Sequence, residues 1–142
     1  MDNNIDILDE LHKGACMGID ALNFIFSKVK EEKFKKLLEN QKSEYENLAE
    51  RINKLYRDYT TKDIHETGTM AKIMTWYGIQ KDTMMNTSVS NLADLLIRGT
   101  NMGIIEGKKI INHKTMDKKV HKLCTEYIMM QEKYLDRLKE FL

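Results

Sequence analysis

The chain has 142 residues, 42% hydrophobic and 32% charged, which suits one globular domain with enough apolar side chain for a core. Its 23 basic residues stand against 22 acidic ones, and a net charge of +1 argues against a dedicated binder of nucleic acid or of an anionic membrane surface. No apolar run reaches the ~18 residues of a membrane span. Met1 to Asp9 is acidic where a signal peptide would be basic and then apolar, so the expected location is the cytoplasm. Cys16 and Cys124 belong to no ligand or redox motif, and each is expected to be a buried, inert thiol.

There is no proline, and strand-like alternation is hard to find, so the chain reads as helix almost throughout. The first segment carries Leu8, Leu11, Ala15, Gly18, Leu22, Ile25 and Val29 at three-four spacing, an amphipathic helix over about residues 4–30. Lys30-Glu31-Glu32-Lys33 has no apolar residue and marks the first turn. The second helix, about 32–59, repeats the spacing with Phe34, Leu38, Gln41, Tyr45, Leu48, Ile52, Leu55 and Tyr59. Thr60-Thr61-Lys62-Asp63 ends it, and Met70, Ile73, Met74 and Tyr77 predict a short helix over about 68–81. Asn86-Thr87-Ser88 precedes a third long helix, about 88–113, with Leu92, Ala93, Leu96, Ile97, Ile104 and Ile111. The fourth, about 117–141, carries Val120, Leu123, Tyr127, Met130, Tyr134, Leu138 and Phe141.

Four amphipathic helices can hide their stripes only together, so the expected fold is an all-α four-helix bundle formed by the whole chain, 1–142. The first and third connections are short, which pairs their helices antiparallel. The second is long enough to cross the length of the bundle, given ~1.5 Å of rise per helical residue. Gly14 and Gly18 on the first helix, and Gly99, Gly103 and Gly107 on the third, each four apart, call for close packing. Each costs about 1 kcal/mol against alanine inside a helix. They permit either close backbone approach or room for bulky aromatics such as Tyr45 or Trp76.

Three surface features invite a functional reading. Lys108, Lys109, Lys114, Lys118, Lys119 and Lys122, with His113 and His121, are opposed in sequence only by Asp117. Such lysines gather at a helix C-terminus for its dipole, or else form a patch for an anion or a partner. Trp76-Tyr77 is a candidate interface anchor or a lid on the bundle. The methionines, among them Met84-Met85 and Met129-Met130, either fill core gaps or offer an adaptable, oxidisable surface.

Ile7-Leu8-Asp9-Glu10-Leu11-His12-Lys13-Gly14 with Gly18, then Gly68-Thr69-Met70-Ala71, and Arg98-Gly99 through to Gly107 resemble a bacterial family of ferritin-like domains of unknown function, distantly akin to rubrerythrins. The resemblance covers nearly the whole chain. It implies a ferritin-like topology with one long crossover holding a short extra helix. Di-iron sites in such bundles use glutamates on two helices and Glu-x-x-His on each of the other two. No glutamate here has histidine three residues later: Glu44 is followed by Asn47, and Glu126 by Met129. These four positions are vestigial at most, the first-helix ligand is missing, and no metal or other cofactor is expected. Pairing the first two helices about Glu31 sets Glu44 opposite Met17 or Gly18. The one carboxylate-x-x-histidine, Asp9 to His12, reads as an ordinary helix-face contact.

Glu10-Leu11-His12-Lys13-Gly14-Ala15 is also similar to the phosphorylated helix of histidine phosphotransfer domains, but the position that should hold histidine is Glu10, and His12 instead sits directly before Lys13, about 100° from it round the helix. No Gly-rich phosphate loop, Cys-x-x-Cys or nucleophile elbow is present, so no enzyme is expected. The residues favour a non-catalytic interaction or stress-accessory scaffold, partnered by another protein or by itself as a homodimer. A degenerate di-iron oxidase or peroxidase and a phosphotransfer-like signalling domain are the alternatives.

Overall fold

The computed structural model describes residues 3–64 and 86–142. Among them are four helices and no strand: α1 (Asn4–Phe26), α2 (Glu32–Tyr56), α3 (Val89–His113) and α4 (Lys118–Lys139). The short helix expected over about 68–81, and with it Trp76 and Tyr77, lies outside the described residues.

The helices form one all-α bundle around a continuous core. Its largest fully buried side chains include Tyr45, Tyr134, Phe34, Ile7, Leu8, Leu11, Leu22, Leu38, Ile52 and Leu92. The closest packing is within two pairs, α1 with α2 and α3 with α4; α2 also meets α4, and α1 meets α3. Asn4 Oδ1 accepts from the Asp117 N–H at 2.8 Å, and the Tyr59 hydroxyl donates to Asp117 at 2.7 Å. One end of the bundle therefore gathers the start of α1, the end of α2 and the start of α4. At the other end Phe34 packs on Phe141, ring centroids 5.0 Å apart. Helices that touch side by side thus run antiparallel, and α2 and α3 run in the same direction.

Helix ends differ from the periodic reading where polar chemistry intervenes. α1 stops at Phe26, short of the expected residue 30, and the Ser27 hydroxyl donates to the Phe24 carbonyl at 2.9 Å. The turn falls earlier than expected because Glu31, placed within it, is the N-cap of α2: its carboxylate accepts from the N–H groups of Lys33 at 2.9 Å and Phe34 at 3.0 Å. Val29 stays buried although no helix carries it. At the other end, α2 stops at Tyr56, with Leu55 and Tyr59 only half-buried. Ser88 caps α3 by accepting from the Asn91 N–H at 3.2 Å. On α3 the apolar stripe sits slightly round from the expected one: Ile97 and Ile111 are half-buried, while Thr100, Gly103, Gly107 and Ile110 face the core.

Candidate functional site

α2 and α4 lie side by side and antiparallel, and their outer faces meet along a groove of about 670 Å³. From α2 come Ser43, Glu44, Asn47, Leu48 and Arg51; from α4 come Glu126, Met129, Met130 and Lys133. Glu44, Asn47, Glu126 and Met129, the four positions read from the ferritin-like pattern, therefore all line one groove. The floor is apolar, with Leu48 and Met130 buried and Met129 62% exposed above them.

An ion pair closes each end of the groove. Lys133 Nζ lies 2.9 and 2.8 Å from the two Glu44 carboxylate oxygens, and the Tyr134 hydroxyl donates to the same carboxylate. Burial pushes the Glu44 carboxyl up, but the hydrogen bonds from Lys133 and Tyr134 and the charges of Lys133 and Arg137 outweigh it and hold the group below its ordinary value. The same contact acts in reverse on Tyr134: burial and the bond to Glu44 raise its phenol. Seven residues away on each helix, about 10 Å at helical rise, Arg51 Nη2 binds Glu126 Oε2.

These donors do not fit an iron pair. Each glutamate is already matched to a cation, both are partly exposed on the outer face, and neither Asn47 nor Met129 supplies an imidazole. Among the described residues no three His, Cys, Asp or Glu side chains gather closely enough to share a metal ion.

One residue round from the groove, the same helices meet inside the bundle through uncharged polar groups. The Tyr45 hydroxyl donates to Gln131 Oε1 at 2.8 Å, and Gln131 Nε2 donates to the Tyr127 carbonyl at 3.2 Å. Gln41 Nε2 donates to Thr100 Oγ1 at 3.3 Å, while Gln41 Oε1 has no hydrogen-bond partner among the described residues. Gln41, Tyr45, Thr100, Tyr127 and Gln131 are all buried. The glycines make room for this layer. A Cβ at Gly18 would stand 2.8 Å from the Tyr45 ring, and one at Gly14 would stand 2.1 Å from the Tyr127 hydroxyl. Gly103 holds the same relation to Gln131, and Gly107 to Ile128. Tyr45 is the aromatic expected beside a glycine, and Gly18 is among the residues placed opposite Glu44 by the turn near Glu31.

Other candidates separate from the groove. His12 is buried, 6% exposed, with Cys16 Sγ 3.6 Å from its Nδ1; a phosphotransfer histidine must be reached by a partner's aspartate. Cys124 is buried, donates to the Gly107 carbonyl at 3.7 Å, and has its thiol pushed up to about 11 by burial. Cys16 corrects the expectation for both thiols, being only half-buried, because its position lies at the margin of the core stripe of α1. The helix-end account of the lysines also needs correcting. Lys118 and Lys119 open α4 and Lys122 follows a turn later, at the positive end of that helix's dipole rather than at a C-terminus. Lys114, the C-cap of α3, lies 3.9 Å from Glu10. The acidic start of α1 thus approaches a lysine run that looks almost unopposed in sequence. Of the methionines, Met17 and Met130 are buried, Met102 and Met129 exposed.

No protein-family model matches the chain, and neither does any curated protein or solved structure. A signal within the chain accounts for the groove. Glu44-Tyr45-Glu46-Asn47-Leu48-Ala49-Glu50-Arg51 on α2 and Glu126-Tyr127-Ile128-Met129-Met130-Gln131-Glu132-Lys133 on α4 share glutamate, tyrosine, a large apolar residue, glutamate and a cation at the same spacing. Laid antiparallel, each leading glutamate meets the other segment's trailing cation, and each tyrosine turns inward. Reading glutamates only for a histidine three residues later passes over Arg51 and Lys133; aligning the two segments finds them.

Proposed function

We propose that the chain is a non-catalytic, ferritin-like helical bundle that serves in the cytoplasm as a protein-interaction or stress-accessory scaffold, with the α2–α4 groove as its interaction surface and no iron pair in its core. The observation that carries this reading is the pairing of Glu44 with Lys133 and of Glu126 with Arg51 on the outer face. Carboxylates committed to cations there supply no anionic cage for a hard metal pair, whose desolvation needs several such ligands. The core between them holds neutral tyrosine and glutamine instead. The shared direction of α2 and α3 supports the ferritin-like element of the reading, since a connection between consecutive helices that run the same way must span the bundle, and the short helix expected over about 68–81 would lie within it.

An exposed methionine over an apolar floor, rimmed by charge, is the composition of a contact surface. The test is the metal content of untagged protein, before and after aerobic iron loading. No stoichiometric metal is expected. About two iron or manganese ions per chain would overturn the reading and make redox chemistry the leading function.

A further inference from the structure

We propose that the occupant of the α2–α4 groove is a second copy of this chain, docked about a twofold axis that runs along the two helices. The inference rests on the reading of that groove as an interaction surface and names its partner.

The charges at the groove's corners alternate. Along α2 they run negative then positive, Glu44 and Arg51; along the antiparallel α4 the facing corners are positive then negative, Lys133 and Glu126. With about 10 Å between corners along each helix and about 8–10 Å between helix axes, the four groups make a nearly square checkerboard. All four are partly exposed, so each can meet a further charge.

Such a square is self-complementary only for particular dockings. A twofold along the helices lays α2 of one copy over α4 of the other, antiparallel, so that Glu44 faces Lys133 and Arg51 faces Glu126. A twofold along a diagonal of the square, which crosses the helices, lays glutamate on glutamate. An axis across the helices also alternates the corner charges, but it brings Lys122 over Arg137, the next exposed positions of the α4 stripe. The axis along the helices instead sets those two residues over Leu55 and Asn40, with no like charges apposed. It also lays the exposed Met129 of each copy into the groove of the other, beside Asn47 and over the Leu48 floor.

The face is large enough. A helix of 25 residues is about 37 Å long, and two neighbours are about 20 Å wide, a footprint of about 700 Å². Stable dimers bury about 800 Å² per partner.

Sedimentation velocity of the untagged full chain at low salt, from about 1 to about 100 µM, tests the proposal, with helical circular dichroism recorded on every variant. A concentration-dependent dimer is expected. Met129→Glu places an acid at the dry centre, and Lys133→Glu sets like charges against Glu44 of the other copy. Each should weaken the dimer about tenfold or more without loss of helix. The double variant Glu44→Lys/Lys133→Glu restores opposite charges across this axis and should dimerise again. A chain monomeric throughout, a dimer that neither single variant weakens, or a double variant that stays monomeric would each overturn the proposal. Metal measured on the same samples keeps the two readings apart: a metal-free monomer removes the dimer and leaves the scaffold, whereas two irons per chain remove the scaffold whatever the mass.

Discussion

Glu44 and Tyr45 are neighbours in the chain and about 100° apart on one helix, and the two sides they occupy follow different rules. Outside, Glu44 with Lys133 and Arg51 with Glu126 are charged, partly exposed and interchangeable in sign. Inside, Tyr45 and Gln131 are neutral, buried and held to one geometry by a glycine behind each: Gly18 at the tyrosine ring, Gly103 at the glutamine amide. Water screens the outer pairs, so their geometry is cheap to alter; no water relieves the inner ones, so theirs is not. The inner layer specifies how the helices pack, and the outer one is free to specify what they meet.

The sharpest way to break this contrast is to add one methyl group inside. A Cβ at position 103 would lie 2.0 Å from Gln131 Oε1, and Gln131 cannot swing clear because both ends of its amide are engaged. At position 18 the obstacle is the Tyr45 ring itself. Alanine is the better helix former by about 1 kcal/mol, yet Gly103→Ala and Gly18→Ala should each destabilise the bundle, by up to about 3 kcal/mol. Urea unfolding decides the sign; variants more stable than the parent would mean that the glycines are not there to make room.

Tyr45→Phe is the next test. It keeps the ring and removes the hydroxyl, which takes from Gln131 Oε1 the hydrogen bond that Tyr45 donates, at an expected cost of about 1–2 kcal/mol. Adding Gln131→Leu removes the orphaned acceptor as well and should recover part of that loss. A double variant as unstable as the two single effects added together would show no coupling between the two side chains.

The inner groups also set the response to alkali. Burial raises the Cys124 thiol from 9.0 to about 11 and raises the Tyr127 and Tyr134 phenols above their ordinary 10.0. Groups whose folded values are raised support the fold fully below their unfolded values and lose that support as pH climbs toward the folded ones. Stability should therefore be level up to about pH 9 and fall beyond it, with the tyrosinate absorbance of Tyr127 and Tyr134 appearing at unfolding rather than before. Early ionisation of Tyr127 and Tyr134 would contradict their burial.

Most of the helical architecture was legible because it depends on apolar spacing alone: every residue of the first seam, from Leu8 to Val29, is buried. Gln41 was legible as a core position for the same reason, although its partner Thr100 was not, since a threonine on a glycine-rich stretch carries no periodic signal. The start of α2 near residue 32 was legible, but the cap that fixes it was not, because Glu31 looks like a solvated charge in sequence and acts as a cap in space. Glu44 and Glu126 were found as positions, but Lys133 and Arg51 were not, because ion pairs between segments some 80 residues apart follow from helix register rather than composition. Lys118 and Lys119 were assigned to the wrong helix end for a related reason. A run of lysines across a turn does not say which side of the turn each belongs to.

The smallest expected effect belongs to the outer pairs and completes the contrast. Glu44→Gln removes the charge that Lys133 and Tyr134 contact, and Arg51→Gln removes the partner of Glu126. Both sites are partly exposed, so each change should cost no more than about 1 kcal/mol at neutral pH. For Glu44 the sign follows from its lowered carboxyl: the stabilisation is present above the ordinary value of 4.5 and is lost as pH falls through the folded value. Parent and Glu44→Gln should therefore differ slightly at pH 7 and converge in acid. A penalty well beyond that, persisting in acid, would mean that the Glu44 side chain organises the α2–α4 contact through packing, and the division between an inner layer that specifies and an outer layer that is free would fail at its first residue.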